Sequence, residues 1–263
     1  MIETEALTRL YGDLVAVHAL DLTVGEGEVY GFVGPNGAGK TTTLRMLTTL
    51  LQPTSGVARI AGHDVWKERD IVRGCIGYLP DTFGVYPDMT CTEYLHFFAA
   101  AYQLPEEGRP ALVQGLLELT DLADKHDHLV DALSRGMQQR LGLARTLVHD
   151  PKVLILDEPA SGLDPRARVE IREVLRELQR MGKTILLSSH ILSELESLCS
   201  QIGIIDQGKL VAQGPLDRLI AEHSPDDWVI LHTADDARAA GILLEVPGVL
   251  KATHRPEEGH IDL

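Results

Sequence analysis

The sequence lacks any run of about 18 uncharged apolar residues, the length at which a helix begins to be able to cross a bilayer. Its N-terminal residues, MIETEALTRLYGD, have neither the basic start nor the apolar stretch of a secretory signal peptide. We therefore expect a chain that stays in the cytoplasm. Contact with a membrane is then expected to run through a protein partner.

Cysteine is scarce and basic residues are outnumbered by acidic ones. Cys75, Cys91 and Cys199 lie far apart without metal-ligand spacing, and we interpret them as small buried side chains. The formal net charge of -15 argues against a nucleic-acid partner, because binding a phosphate backbone needs a basic patch. A small nucleotide site is still compatible with this charge, since one cleft can stay locally positive on an acidic protein.

Short β-branched runs alternate with amphipathic helical patterns over roughly the first 220 residues. A helix is predicted where Ala167, Ile171, Val174 and Leu178 form one apolar stripe. This alternation predicts an α/β fold with a mixed, largely parallel sheet. The predicted strands cover 28–33, 57–60, 76–79, 153–156, 184–187 and 202–205.

Two regions depart from this alternation. Residues 85–150 contain no convincing strand and are predicted to be helices, forming a helical subdomain inserted in a domain that covers 1–220. Residues 221–263 carry nine acidic residues against three basic ones and predict a small α+β extension built from WVILHT, DDARAAGILLEV and GHIDL. Because the last segment looks like an unpaired strand, one interpretation is that the extension is truncated.

Residues 34–41 read GPNGAGKT and form the most specific motif in the chain. They fit G-x-x-x-x-G-K-[ST] between an apolar strand and an amphipathic helix, the context that a phosphate-binding loop requires. Glycines let consecutive backbone N–H groups converge on phosphate oxygens, and the helix adds the positive end of its dipole. Lys40 is predicted to contact the β- and γ-phosphates, and Thr41 to bind Mg²⁺. The predicted nucleotide contacts of this loop are Gly34, Pro35, Asn36, Gly37, Ala38, Gly39, Lys40, Thr41 and Thr42.

A second motif, VLILDEP at 153–159, ends a buried strand with two carboxylates. Asp157 is predicted to reach Mg²⁺ through its water shell. Glu158 is predicted to be the general base that orients and deprotonates the attacking water. Taken alone, the pair could also simply cap the strand.

The segment LSRGMQQRLGLARTL at 133–147 resembles the signature motif of the ATP-binding-cassette (ABC) family, usually LSGGQ. The resemblance covers about residues 2–220 and implies a head-to-tail pair of cassettes that share two ATP sites. In that pair, Ser134, Gly136 and Gln138 would face the γ-phosphate held by the opposite subunit. Arg135 and Met137 depart from the usual glycine and glutamine, and such forms resemble the branch that acts with separate export permeases.

The resemblance assigns further roles one residue at a time. It implies that Tyr11 stacks on the adenine ring and that Asp164, in SGLDP, belongs to a loop through which the subunits sense each other. His190, in LLSSH, would contact the γ-phosphate and hold Glu158 in line. Asp81 occupies the place of the family's switch glutamine and would reach the Mg²⁺ shell or the attacking water. The implied catalytic set is Glu158, His190 and Asp81, and the implied metal set is Thr41, Asp81 and Asp157.

The resulting expectation is an ATP-hydrolysing subunit at the inner face of the cell membrane that powers export through an integral-membrane permease. The permease is expected to contact the surface near Asp81 to Met89. Two alternatives remain within the family, namely an importer ATPase and a soluble ABC protein that acts in translation or DNA repair. A P-loop kinase or GTPase would lack the signature segment, and a GTPase would be expected to carry an N-K-x-D string, which we do not find.

Overall fold

The computed structural model describes residues 1–82, 84, 86, 88–223, 230–231, 236–243, 246, 253–255 and 260–262. Backbone contacts divide the chain into two units, Met1–Leu216 and Asp217–Leu263. The first ten strands are β1 Ile2–Tyr11, β2 Leu14–Val24, β3 Val29–Val33, β4 Ser55–Ile60, β5 His63–Asp64, β6 Ile76–Leu79, β7 Val153–Leu156, β8 Thr184–Ser189, β9 Gln201–Asp206 and β10 Lys209–Gly214. The first seven helices are α1 Lys40–Leu47, α2 Arg69–Cys75, α3 Cys91–Ala101, α4 Arg109–Leu119, α5 Arg135–Leu147, α6 Pro165–Arg180 and α7 Leu216–His223.

A six-stranded sheet with the order β10-β9-β3-β8-β7-β6 forms the centre of the first unit. Five of its strands are parallel, and β10 runs antiparallel to β9 at one edge. All residues of β3, β7 and β8 are buried, as expected for parallel strands covered on both faces. The predicted mixed, largely parallel α/β fold is therefore confirmed, and all six predicted strands are present.

A second, antiparallel sheet with the order β2-β1-β4-β5 packs against the first through a shared core. The predicted strand at 57–60 lies in this sheet, as part of β4. Strands β1 and β2 were not predicted from the sequence. Their pairing has three register shifts, between Thr4 and Leu10, so buried and exposed residues do not alternate regularly.

The described residues of 85–150 contain α3, α4 and α5 with short 3₁₀ turns and no strand. Helix α3 begins with a capping box, in which Thr90 and Glu93 bond to each other's backbone N–H. The assignment of this region as an inserted subdomain stays a prediction. Of the surface predicted to receive a permease, Phe83, Val85 and Pro87 lie outside the described residues.

The second unit contains β11 Ile230–Leu231, α8 Asp236–Leu243, β12 Thr253–Arg255 and β13 His260–Asp262. Apart from Val246, the rest of WVILHT, DDARAAGILLEV and GHIDL lies outside the described residues. The three strands form an antiparallel sheet with the order β11-β13-β12, so the last strand pairs on both sides. The expectation of an unpaired terminal strand is wrong, because the sequence gives no sign of which distant segments pair with it.

All three cysteines are free. Desolvation raises the pKa of the buried Cys91 thiol to about 11 and that of the half-buried Cys199 thiol to about 12. Both thiols are therefore protonated at neutral pH and poor nucleophiles. Among the described residues, no helix is both long enough and apolar enough to cross a membrane.

Candidate active site

The loop at 34–39 joins β3 to α1 and is held by close backbone packing at its two ends. A Cβ on Gly34 would overlap the carbonyl oxygen of Ile205. Gly39 has a φ of 105°, and a Cβ there would lie 2.6 Å from the carbonyl oxygen of Ala16. Both positions accept only glycine without strain, which explains why the motif places its glycines there.

Lys40 begins α1 and is only 6% exposed. Its Nζ donates to the carbonyl oxygens of Gly34, at 2.6 Å, and Pro35, at 3.3 Å, and lies 3.3 Å from Glu158 Oε1. A buried ammonium at a helix N-terminus is unfavourable, because the helix dipole is positive at that end. An anion bound at this point would be attracted by both the lysine and the helix.

Asp157 and Glu158 follow β7 and are organised by a serine of the neighbouring strand. Ser188 Oγ donates to Asp157 Oδ1 at 2.7 Å and accepts from the backbone N–H of Glu158 at 2.9 Å. Asp157 is 1% exposed. The pKa of the nearby Tyr78 phenol is raised, first by the burial of Tyr78 itself and then by the negative charge of Asp157. Ser188 was not predicted as a site residue. Leu156 pairs with Leu187 in parallel strands, so the residues that follow them, Asp157 and Ser188, lie side by side. A prediction of this register would have indicated Ser188.

The Glu158 side chain lies between two cationic or titratable groups. Its Oε1 faces Lys40, and its Oε2 lies 2.8 Å from His190 Nδ1. The residue has a φ of 51°, a left-handed conformation that is uncommon outside glycine and is enriched at functional sites. The carboxylate is therefore held by defined contacts and is 13% exposed.

A cavity of about 400 Å³ joins these groups, and all three predicted catalytic residues line it. It is lined by Pro35, Asn36, Gly37, Lys40, Thr41, Asp81, Glu158, Ser161 and His190. Ser161 was not predicted from the sequence. Asp157 does not line the cavity, because it is buried behind Glu158 against Ser188.

A neighbouring cavity of about 570 Å³ shares Gly37 and Thr41 with the first. Its other lining residues are Tyr11, Leu14, Val15, Ala16, Gly39, Thr42, Gln207 and Gly208. Tyr11 is 44% exposed and carries the Arg9 guanidinium over its ring, 4.7 Å from the centroid. One cavity is thus polar and charged, and the adjoining one offers an aromatic ring and aliphatic side chains.

The predicted signature residues lie elsewhere in this chain. Ser134, Gly136 and Asp164 line a third cavity of about 370 Å³. Ser134 caps α5 by accepting from the Met137 N–H at 3.3 Å, and Asp164 caps α6 by accepting from the Ala167 N–H at 2.7 Å. One chain therefore does not place these residues beside its own phosphate loop.

Further residues of the signature segment also make contacts within the chain. The Gln138 amide donates to the Val130 carbonyl oxygen at 3.0 Å. A Cβ on Gly136 would lie 2.7 Å from Ala167 Cβ, so this glycine permits α5 to pack closely on α6. The Arg135 guanidinium packs against Gly162 of the 161–164 loop.

Comparison with known proteins decides the family. The family model described as ABC transporter matches residues 17–161. The Nod factor export ATP-binding protein I of Ralstonia nicotianae is 41% identical over 244 residues, which is 93% of this chain and 76% of that protein. This chain is a member of the ABC transporter ATP-binding family. A daunorubicin resistance ATP-binding protein of Streptomyces coeruleorubidus is 40% identical over 255 residues, covering 97% of this chain and 81% of that protein.

Solved ABC structures agree with this assignment. An ATP-binding subunit of an ABC transporter superposes with a TM-score of 0.75 at 30% identity, covering 84% of this chain and 92% of the other. A dimeric cassette in a post-hydrolysis state, bound to ADP and phosphate, gives a TM-score of 0.73 at 25% identity, covering 82% and 99%. The predicted ATPase subunit of an export-type ABC transporter is confirmed, so the importer and the soluble alternatives are set aside.

We expect Ser188→Ala to lower the rate of ATP turnover by about tenfold, because the hydroxyl holds both acidic residues and a hydrogen bond to a charged group contributes about 1.5–3 kcal/mol. The ATP concentration at half-maximal rate should change little. Steady-state ATPase assays would measure both. Ser200→Ala is the control, since that hydroxyl bonds to the Val29 carbonyl at the opposite end of the parallel strands. Equal losses in the two variants would contradict a local role for Ser188.

Proposed function

We propose that this ABC subunit binds Mg-ATP in the two adjoining cavities and hydrolyses it with Glu158 as the general base. It acts in a head-to-tail pair of cassettes that drives a separate membrane permease. The observation that carries the proposal is the position of the Glu158 carboxylate, which is held between Lys40 and His190 in a cavity lined by the phosphate loop.

The two cavities match the two halves of ATP. Tyr11 supplies an aromatic face on which adenine can stack in the larger, more apolar cavity. Backbone N–H groups of 34–41 and the Lys40 ammonium suit the phosphates in the polar cavity, at the N-terminus of α1. Because Gly37 and Thr41 line both cavities, the phosphates and the base belong to one continuous site.

The oxygen donors near the phosphate loop fit Mg²⁺. Thr41 and Asp81 line the polar cavity, and Asp157 lies behind it, so the donors are a hydroxyl and two carboxylates. Among the described residues, no group of three His, Cys, Asp or Glu side chains forms a closed metal cage. This suits a metal that keeps its waters and is shared with phosphates. Bound there, Mg²⁺ would supply positive charge that offsets the negative charge developing on the ADP leaving group.

Glu158 is the residue that activates the water. Its Oε2 contacts His190, which fixes the orientation of the carboxylate, and its backbone is held by Ser188. A base oriented in this way can accept a proton from a water placed in line with the γ-phosphate. Asp81 lines the same cavity, where its carboxylate can hydrogen-bond to that water or to the metal's water shell.

Pairing of two cassettes would give a role to the predicted nucleotide-binding residues that lie away from the phosphate loop of their own chain. Ser134, Gly136, Gln138 and Asp164 would complete the site of the opposite subunit, with the N-terminus of α5 facing its γ-phosphate. A dimeric bacterial ABC cassette is among the similar solved structures, with a TM-score of 0.74 at 26% identity over 82% of this chain and 99% of the other. Since each copy carries a formal charge of -15, pairing without ATP should be weak and should strengthen with salt.

The permease is the second partner that we propose. The similar proteins are named as ATP-binding proteins for Nod factor export, daunorubicin resistance and bacitracin transport. These names differ although the identities lie at 40–41%, so we propose that the permease and not this subunit selects the exported compound. Binding to a permease would hold the subunit at the inner face of the cell membrane.

The test is purification of the tagged subunit from mild-detergent extracts of its native cell. A polytopic membrane protein should copurify in a fixed ratio, and tagging that protein should recover this subunit in return. Untagged cells provide the control. Recovery of only ribosomal or DNA-associated proteins would contradict the transport role and leave the ATPase chemistry intact.

A further inference from the structure

The backbone on both sides of His190 is fixed by its neighbour, Ser189. Ser189 is buried, and its hydroxyl donates to Glu194 Oε2 at 2.9 Å. The same oxygen accepts from the backbone N–H of Ile191 at 3.0 Å. The position of His190 is therefore determined in part by the Glu194 carboxylate, although Glu194 does not line the cavity that contains Glu158.

Glu194 is also connected to helix α6. Its Oε1 lies 3.3 Å from Arg168 Nη1, and Arg168 Nε donates to the Leu163 carbonyl oxygen at 3.1 Å. Glu194 is 13% exposed, and Ile171, Leu175, Leu195 and Leu198 line the space around it. Because Arg168 is itself 36% exposed, the ion pair is only partly buried, and removal of one partner leaves an uncompensated charge on the other.

These contacts form one continuous path. It runs from Leu163, in the 161–164 loop, through Arg168, Glu194 and Ser189 to His190, which contacts Glu158. We infer that Glu194, paired with Arg168, is a positioning residue that holds His190 against Glu158 and links this contact to the 161–164 loop. The inference rests on the roles proposed above for Glu158 and His190.

The path distinguishes Arg168–Glu194 from the other ion pairs of α6. Arg180 and Glu177 also form an ion pair, but they are three residues apart on one exposed helix face. A pair of this kind contributes little to stability and connects α6 to no other element. Glu177→Gln is therefore the matched control for Glu194→Gln, since it also removes the carboxylate partner of an α6 arginine.

The first experiment is the steady-state kinetics of ATP hydrolysis by the full chain. Glu194→Gln and Arg168→Gln are each expected to lower kcat by about tenfold while KM for ATP stays within about twofold, because both act on the reacting groups and not on nucleotide binding. The double variant should lose little more than either single variant, as residues that act as one unit are not additive. Arg168→Lys should recover part of the loss, and Glu177→Gln should match the parent.

A second readout does not depend on turnover. Histidine-selective NMR of the nucleotide-free chain, with the His190 signal assigned by its loss in His190→Gln, should show that signal displaced in Glu194→Gln and unchanged in Glu177→Gln. An unchanged kcat in Glu194→Gln would overturn the inference. A lower kcat that is fully explained by a lower Tm, and therefore by loss of folded protein, would also overturn it. A displaced His190 signal together with full turnover by Glu158→Gln would instead contradict the proposed base and leave the positioning role intact.

Discussion

Lys40→Ala should weaken ATP binding by at least about 100-fold, which corresponds to about 2.7 kcal/mol. The Lys40 ammonium is buried at the N-terminus of α1 and already faces the Glu158 carboxylate. Without it, Glu158 would present an uncompensated negative charge to the incoming phosphates, so the variant loses an attraction and gains a repulsion. Isothermal titration calorimetry with ATP in the presence of Mg²⁺ would measure the change.

Lys152→Ala is the control for Lys40→Ala. Lys152 is exposed just before β7 and does not line either nucleotide cavity. Its variant should bind ATP as the parent does. A thermal melt of each nucleotide-free variant would show whether the fold is retained. Parent-like affinity in folded Lys40→Ala would contradict the assignment of 34–41 as the phosphate loop.

The sheet was predictable to the extent that its strands are buried on both faces. β3, β7 and residues 184–187 of β8 are largely apolar runs, because neither face of these strands meets solvent. β1 and β2 escaped prediction because bulges interrupt their alternation. The pairing of β13 with β11 could not be predicted from the sequence either, since these two strands are distant from one another in the chain.

The site was predictable where chemistry depends on residues adjacent in the chain. The loop at 34–41 and the pair Asp157 and Glu158 belong to short motifs, so their spacing carries the information. Ser188 was missed because its contacts join two strands, and only the register brings them together. For the same reason Arg168 and Glu194 have no local signature, since their pairing depends on how α6 packs against the segment after β8.

The signature residues illustrate a different limit. Ser134 and Asp164 were predicted to contact nucleotide, and within one chain they cap α5 and α6 beside a separate cavity. A cap that satisfies its own helix can still present the helix N-terminus to an anion. Their contact with a nucleotide therefore depends on a second copy and stays a prediction. Gln138 would have to release the Val130 carbonyl to take part through its side chain.

Glu158→Gln should abolish steady-state turnover while leaving ATP binding intact. The amide can keep the contact with His190, but it cannot accept the proton of the attacking water, and a general base contributes about 10²–10⁴-fold to the rate. Removal of one negative charge beside the phosphates should hold or raise the affinity for ATP. The bound ATP should then accumulate in a stable dimer, because the dimer is expected to dissociate only after ATP has been hydrolysed.

Size-exclusion chromatography with light scattering would detect that dimer, and the nucleotide extracted from its peak would be identified as ATP or ADP. Glu196→Gln, which neutralises an exposed carboxylate in the segment after β8, is the control and should stay monomeric and active. Near-parent turnover by Glu158→Gln would show that another group is the base. If the Glu158→Gln variant binds ATP, does not hydrolyse it and stays monomeric, Glu158 remains the assigned base. The proposal of an ATP site shared by two copies would then be contradicted, because ATP held at 34–41 would not recruit Ser134 of a second copy.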